Sequence, residues 1–234
     1  MSTKKTHIVI LIDRSGSMQS IASDVIGGFN QFLAAQQSDG SDARVTLVQF
    51  DSQDPQEVVV AGAPISEVVP LSEATFVPRA GTPLLDATGR LISRISANEA
   101  GRVSAGLPAE DILFVSITDG EENESNEFSL EQVRELIAAK SKAGWNFVFL
   151  SAALDAYADA RAMGVHAGAT QAFAADRDGV DHAFKSLSEK TANWRAAKRQ
   201  GRNLRDAEFF GDDKRAEADR ESRSRRQNPN SSSN

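Results

Sequence analysis

The sequence contains no cysteine, and this absence excludes several classes of protein at once. A chain without cysteine has no disulfide framework, no Cys-ligated zinc or iron–sulfur site and no thiol nucleophile. Histidine is also scarce, since the only histidines are His7, His166 and His182. We therefore expect no transition-metal site built from several histidines. The 234 residues suffice for one sizeable domain whose core needs neither a disulfide nor a metal.

Long hydrophobic runs are missing as well. A basic N-terminal segment precedes the apolar run at residues 8–12, and this run ends at Asp13. The run is too short for the hydrophobic part of a signal peptide and too short for a membrane span. We therefore expect a soluble, cytoplasmic protein that makes no contact with a membrane.

Charge is distributed unevenly along the chain. The formal net charge is −7, and the acidic excess lies in residues 1–197. An acidic body argues against the binding of nucleic acid by this part of the chain. Residues 198–234 instead carry ten Lys and Arg residues against seven Asp and Glu residues, in a polar segment without apolar periodicity. We predict that residues 200–234 form a charged, disordered tail.

Strand-like and helix-like patterns alternate along the first 199 residues. The run at 7–12 is almost entirely apolar, as expected of a strand covered on both faces, whereas the segment at 20–37 places apolar residues at helical spacing. The predicted strands are 7–12, 43–51, 56–65, 111–118, 145–152 and 169–175, and the predicted helices are 20–37, 82–95, 129–144, 155–164 and 178–199. This alternation predicts an α/β fold of three layers, with a doubly wound, Rossmann-like sheet between helices. The sheet is expected to be mostly parallel with one antiparallel edge strand.

Short polar side chains follow the ends of two of these strands. Asp13, Ser15 and Ser17 follow the first strand, and Asp119 follows the fourth. Thr82 stands at the start of a predicted helix, where it is followed by a proline and has the character of an N-cap residue. Ligands of doubly wound sheets bind beyond the carboxyl ends of the strands. We therefore expect the three loops to bring their side-chain oxygens together at one end of the sheet.

Two carboxylates and three hydroxyls, without sulfur or imidazole, make a hard oxygen site. Such a ligand set suits Mg²⁺, with Mn²⁺ or Ca²⁺ as alternatives, and suits zinc or copper poorly. The short side chains keep the backbone close to the ion, and Gly16 allows a tight turn between the two serines. Because only two ligands are charged, the ion keeps a net positive charge and an open position for a carboxylate from another molecule.

These motifs strongly resemble the metal-ion-dependent adhesion site of von Willebrand factor A (VWA) domains. The resemblance rests on DRSGSM at 13–18, RAGTPLLDA at 79–87 and ITDGEEN at 117–123, which occur in the order expected of the family. It implies a VWA domain over residues 1–199. It also implies that hydroxyl ligands come from Ser15, Ser17 and Thr82, and that Asp13 and Asp119 bind Mg²⁺ directly or through water. Small intracellular microbial members of the family act in multiprotein systems, so we expect a partner protein that supplies an acidic residue.

Each motif also has a simpler interpretation. Ser17 or Ser20 is a suitable cap for the first helix, and Thr82 for the second. Asp119 and Gly120 form a common turn sequence, and the acidic segment at 120–127 is typical of a solvated loop. A degenerate domain that binds its partners through helices, without a metal, is therefore a further possibility.

A Mg²⁺-dependent phosphohydrolase on the same sheet is the alternative function. Phosphatases of the haloacid dehalogenase type also place an aspartate after the first strand, but they need a second acid two residues later, where this chain has Ser15. A serine nucleophile would need a nearby base, and the G-x-S-x-G turn and the phosphate-binding loop motif are both absent. We therefore expect no enzymatic activity.

Overall fold

The computed structural model describes residues 5–211 together with Asp213, Glu217 and Glu221. Its centre is a six-stranded sheet with the strand order β3-β2-β1-β4-β5-β6. Neighbouring strands are parallel except for β2 and β3, which run antiparallel and place β3 at one edge. The strands are β1 (Thr6–Asp13), β2 (Ala43–Phe50), β3 (Glu57–Pro64), β4 (Asp111–Thr118), β5 (Asn146–Ser151) and β6 (Thr170–Ala172). The predicted mostly parallel sheet with one antiparallel edge strand is confirmed.

Helices cover both faces of this sheet. They are α1 (Ala22–Ser38), α2 (Leu84–Ser104), α3 (Leu130–Lys142), α4 (Ala156–Met163) and α5 (Arg177–Arg199). Helix α1 packs on α5, while α2 packs on α3 and α3 on α4. Every residue of β1 and of β4 is buried, which explains why these central strands carry nearly continuous apolar runs, at 8–12 and 112–115, rather than alternating patterns. Among the described residues, no helix combines the length and the apolar character that crossing a membrane requires.

Local sequence signals set several of the helix ends. The Ser129 hydroxyl accepts a hydrogen bond from the backbone N–H of Gln132, and the Gln132 side chain closes the predicted capping box at the start of α3. Gly144 ends that helix with a φ of 97°, a conformation that favours glycine. Asp176 caps α5 by accepting a 3.0 Å hydrogen bond from the N–H of Gly179.

The start of α2 differs from the prediction. The helix begins at Leu84 with Pro83 at the N-cap position, so Thr82 is not its N-cap residue. A residue that precedes proline is disfavoured in the helical conformation, which explains why Thr82 stays outside the helix. Its side chain is thereby available for contacts at the end of the sheet.

The end of α2 lies well beyond the predicted residue 95. The helix continues to Ser104, and polar contacts hold its last turns. Arg102 Nη2 lies 3.1 Å from Glu110 Oε1, and Trp145 Nε1 donates a 3.3 Å hydrogen bond to Glu99. Apolar periodicity carries no information about such polar contacts, and the helix end predicted from it therefore falls nine residues too early.

The segment that follows α5 packs against the domain. Phe209 and Phe210 are buried, and the Phe210 N–H donates a 2.9 Å hydrogen bond to the carbonyl of Gly168. The Ser186 hydroxyl donates a 2.9 Å hydrogen bond to Asp213. This differs from the disordered tail predicted for 200–234, because the adjacent phenylalanines bury a hydrophobic surface that the rest of the segment lacks. The remainder of the predicted tail, which includes the basic sequence RSRR at 223–226, lies outside the described residues apart from Glu217 and Glu221.

Candidate functional site

The ends of β1 and β4 place the first carboxylate of the site. These strands are parallel neighbours, so Asp13 at the end of β1 lies beside Thr118 at the end of β4. The Thr118 hydroxyl donates a 2.6 Å hydrogen bond to Asp13 Oδ2, and the Ser15 N–H donates a 2.7 Å hydrogen bond to Asp13 Oδ1. Asp13 is fully buried, and both of its oxygens are held in fixed positions.

The two serines join this carboxylate to the second one. Ser15 Oγ lies 3.0 Å from Ser17 Oγ, and the Ser17 hydroxyl donates a 2.7 Å hydrogen bond to Asp119 Oδ1. The residue at the N-cap position of α1 is Ile21, whose side chain makes no capping hydrogen bond. The interpretation of Ser17 or Ser20 as the cap of the first helix is therefore wrong.

The surroundings of Gly120 show that Thr82 belongs to the same cluster. A Cβ atom placed on Gly120 in ideal geometry would lie 3.3 Å from Thr82 Oγ1, 3.5 Å from Ser17 Oγ and 4.0 Å from Asp13 Oδ2. Oxygens from the end of β1 with its loop and from the loop before α2 therefore surround one point on the loop after β4, at the end of the sheet. The structure brings all five predicted side chains together there, and metal binding by them stays a prediction.

Backbone hydrogen bonds hold the Thr82 loop against the first loop. The Gly16 N–H donates to the carbonyl of Ala80 at 2.9 Å, and the Arg79 N–H donates to the carbonyl of Arg14 at 2.8 Å. Ala80 has a φ of 60°, which is uncommon for a residue with a side chain. Backbone strain of this kind persists where surrounding contacts impose it and is frequent at binding sites.

An ion-pair network around the buried Asp51 side chain supports this junction. Arg14 Nε and Arg79 Nε donate hydrogen bonds of 2.8 Å and 3.0 Å to Asp51 Oδ2. Burial alone would raise the pKa of Asp51, but backbone N–H donors and the two guanidiniums outweigh it and lower this pKa. The residues of this network are far apart in sequence, and no local pattern signals them.

The acidic loop after Asp119 is ordered by contacts with α2 and is not simply a solvated loop. Pro83 has no side-chain acceptor for the first turn of α2, and Glu122 supplies one by accepting a 2.8 Å hydrogen bond from the Leu85 N–H. Asn123 Oδ1 accepts a 2.9 Å hydrogen bond from the Thr82 N–H. The loop therefore fixes the backbone that carries the Thr82 hydroxyl.

The electrostatics of the cluster favour a bound cation. Burial raises the pKa of Asp13 to about 6, against the opposing effect of hydrogen bonds from Thr118 and Ser15. Burial also raises the pKa of Asp119. A nearby cation would reverse both shifts because it stabilises the charged form of each carboxylate.

The donor set fits a hard cation. Its five side chains carry only oxygen donors, which suits Mg²⁺, Mn²⁺ or Ca²⁺. Within the part of the chain that the structure describes, no group of three or more His, Asp or Glu side chains is placed to hold a metal ion. The cluster of Asp13, Ser15, Ser17, Thr82 and Asp119 differs from such a group because three of its five side chains are hydroxyls.

Several solved structures share the fold of this chain, although no known family profile and no curated protein matches its sequence. The pilus adhesin SpaC from Lactobacillus rhamnosus GG has a TM-score of 0.58 at 14% identity, over 82% of this chain and only 31% of the adhesin. Manganese-loaded TRAP from Plasmodium vivax has a TM-score of 0.53 at 12% identity, over 80% of this chain and 74% of TRAP. The SpRpn10 VWA domain has a TM-score of 0.53 at 9% identity, over 78% and 95% of the two chains. At these identities the similarity is one of fold.

Proposed function

Since this chain has the von Willebrand factor A fold, we propose that it is a metal-dependent protein-binding module. The ion is Mg²⁺, with Mn²⁺ or Ca²⁺ as alternatives, and its ligands are Asp13, Ser15, Ser17, Thr82 and Asp119. The partner is a protein that supplies an acidic residue to the ion. We infer a cytoplasmic location, an intracellular multiprotein system as the setting, and no nucleic-acid or membrane partner.

The convergence of oxygens around Gly120 is the observation that carries this proposal. Thr82 Oγ1, Ser17 Oγ and Asp13 Oδ2 lie 3.3–4.0 Å from the position of a Cβ atom on Gly120, so the loop before α2 and the end of β1 with its loop meet at the loop after β4. Asp13 and Thr82 are buried while Ser17 is exposed, so the cluster has a buried base and an open side. A bound cation would supply a positive centre on that open side, where a carboxylate from outside can reach it.

The residues of the chain have distinct parts in this function. The three hydroxyls are neutral donors and keep the positive charge of the ion largely uncompensated. The two carboxylates balance part of that charge. Asp119 accepts a hydrogen bond from the Ser17 hydroxyl, and Asp13 accepts one from the backbone N–H of Ser15. The manganese-loaded TRAP protein and the pilus adhesin SpaC have the same fold, which supports a metal-binding and adhesive role.

Binding of Mg²⁺ and capture of the partner are tested together. Isothermal titration with Mg²⁺ is expected to show one site in the wild type and none in Asp13→Ala. Thr82→Ala is expected to weaken binding, whereas Thr82→Ser keeps a hydroxyl and retains most of it. A pull-down from the native cell in Mg²⁺ is expected to recover a partner that EDTA and Asp13→Ala both release.

Two results would overturn the proposal. Complex formation that is unchanged by EDTA and by Asp13→Ala would show that partners bind through another surface without a metal. Metal-dependent turnover of a phosphoester panel that Asp13→Ala abolishes would show a phosphohydrolase instead. The position of the second acid in phosphatases with an aspartyl nucleophile is occupied here by Ser15, whose hydroxyl contacts that of Ser17.

A further inference from the structure

A cavity lies at the end of the sheet opposite to the proposed metal site. His7 lies at its base near the start of β1, whereas Asp13 ends the same strand about 20 Å away. The cavity has a volume of about 430 Å³ and lies between β3 and the second half of α2. This volume is within the range of small-molecule sites, roughly 300–1,000 Å³.

Glu110 positions two arginines at this cavity. Its side chain is almost fully buried, and its Oε2 lies 2.8 Å from Arg44 Nη1 while Oε1 lies 3.1 Å from Arg102 Nη2. Both arginine side chains remain about one-quarter exposed and line the cavity. One buried carboxylate therefore holds two cationic groups in fixed positions and leaves part of each available to a ligand.

The cavity contains donors that the described residues do not satisfy. Arg94 lines it from an exposed position on α2 and makes no hydrogen bond or ion pair with any described residue. Arg102 Nε is buried and has no acceptor among the described residues. A buried donor without an acceptor costs free energy, and an anionic ligand would remove that cost.

The local charge is opposite to that of the protein as a whole. Three arginines line the cavity against two glutamates, Glu99 and Glu110, while the chain has a formal net charge of −7. Glu99 accepts a 3.3 Å hydrogen bond from Trp145 Nε1. Burial lowers the pKa of His7 to about 3, and Arg44 and Arg102 add to this shift, as expected beside positive charge.

We propose that this cavity binds the phosphate group of a small molecule through Arg44, Arg94 and Arg102. Guanidinium groups match phosphate oxygens in paired hydrogen bonds, and a phosphate offers at least three acceptor oxygens where a carboxylate offers two. The cavity is larger than a phosphate ion, and apolar side chains form part of its wall. They belong to Val58, Ala61, Ile95 and Ala97. The wall suits the organic part of a phosphate monoester.

Isothermal titration of the full chain tests this proposal in a phosphate-free buffer at constant ionic strength. The probes are adenosine monophosphate, inorganic phosphate and adenosine. Adenosine monophosphate is expected to bind, and adenosine at the same concentrations is not. If inorganic phosphate binds and adenosine monophosphate does not, and if Arg94→Gln weakens this binding, the site is a phosphate site whose ligand is the free ion.

Two exposed arginines provide the variant and its control. Arg94→Gln is expected to weaken phosphate binding by roughly tenfold or more, since it removes a charged donor that has no structural partner. Arg134→Gln on α3 is expected to leave binding unchanged, because Arg134 is exposed and lies outside the cavity. Asp13→Ala at the other end of the sheet is likewise expected to retain it.

The proposal fails if neither phosphate probe binds at millimolar concentration. It also fails if Arg94→Gln binds as well as the wild type, or if Arg94→Gln and Arg134→Gln weaken binding equally. Loss of phosphate-probe binding in Asp13→Ala would show that the phosphate binds at the proposed metal site instead of in this cavity.

Discussion

Ser17 and Asp119 are 102 residues apart in the sequence and are joined by a 2.7 Å hydrogen bond. This bond links the loop after β1 to the loop after β4. The hydroxyl donates its only proton to the carboxylate, so it is the acceptor in its 3.0 Å contact with Ser15 Oγ, and one lone pair stays free for a cation. The same contact that closes the cluster therefore leaves Ser17 able to act as a ligand.

Mg²⁺ is expected to stabilise the folded protein. A ligand that binds only the native state at 100 times its Kd contributes about 2.7 kcal/mol to the free energy of unfolding. For a domain of this size, the expected rise in Tm is about 5–10 °C. Thermal unfolding followed by circular dichroism, with Mg²⁺ and with EDTA, measures this shift.

Ser17→Ala and Ser20→Ala form a matched pair for this measurement. Both serines are exposed on the same short turn, but only Ser17 contacts Asp119. Ser17→Ala is expected to lose most of the Mg²⁺ shift, and Ser20→Ala to retain it. Equal shifts in the two variants would contradict the assignment of Ser17 as a ligand.

The sequence was sufficient to select five side chains that the structure brings together, Asp13, Ser15, Ser17, Thr82 and Asp119. Asp13 and Asp119 follow buried strands, and the carboxyl ends of parallel neighbours meet at one edge of a sheet. The supporting contacts were not predictable in this way. Thr118 donates a hydrogen bond to Asp13 from the neighbouring strand, and Asp51 accepts hydrogen bonds from Arg14 and Arg79. Each of these pairs joins residues that are distant in sequence. Local patterns of polarity do not encode such pairs.

Gly120→Ala is expected to weaken Mg²⁺ binding without unfolding the protein. The added methyl group would lie 3.3 Å from Thr82 Oγ1 and 3.5 Å from Ser17 Oγ, in the space that the ligands surround. Titration with Mg²⁺ measures the loss, which we expect to be tenfold or more. Chemical unfolding in EDTA is expected to change by less than about 1 kcal/mol.

Gly101→Ala is the control for this substitution. Gly101 lies in α2, and a Cβ atom there meets nothing within 4 Å. The alanine is expected to leave Mg²⁺ affinity unchanged and to increase helix stability by up to about 1 kcal/mol. Wild-type affinity in Gly120→Ala would show that the point beside Gly120 is not where the ion binds.

Phe210→Ala tests whether the segment after α5 belongs to the folded domain. Phe210 is buried, and truncation of a buried phenylalanine costs about 3–5 kcal/mol. Leu154→Ala removes an apolar side chain that is 82% exposed, and its effect is expected to stay within about 0.5 kcal/mol. Urea unfolding compares the two variants, and equal, small effects would favour the disordered tail that the charge pattern predicted.

His7 is expected to make folding stability depend on pH. Its pKa is lowered to about 3 by burial and by Arg44 and Arg102, whereas the unfolded chain binds a proton near pH 6.5. Its contribution to stability is therefore complete above pH 6.5. The contribution decreases as pH falls toward 3, by at most about 1.4 kcal/mol for each pH unit.

Substitution of His7 isolates this contribution from that of the carboxylates. The His7→Gln variant keeps a hydrogen-bonding side chain opposite Thr46, whose Oγ1 lies 2.8 Å from His7 Nε2, but it does not titrate. Urea unfolding between pH 6.5 and 4 is expected to show a shallower loss of stability in this variant than in the wild type. Parallel curves for the wild type and His7→Gln would mean that the buried imidazole takes up its proton as readily in the folded protein as in the unfolded chain.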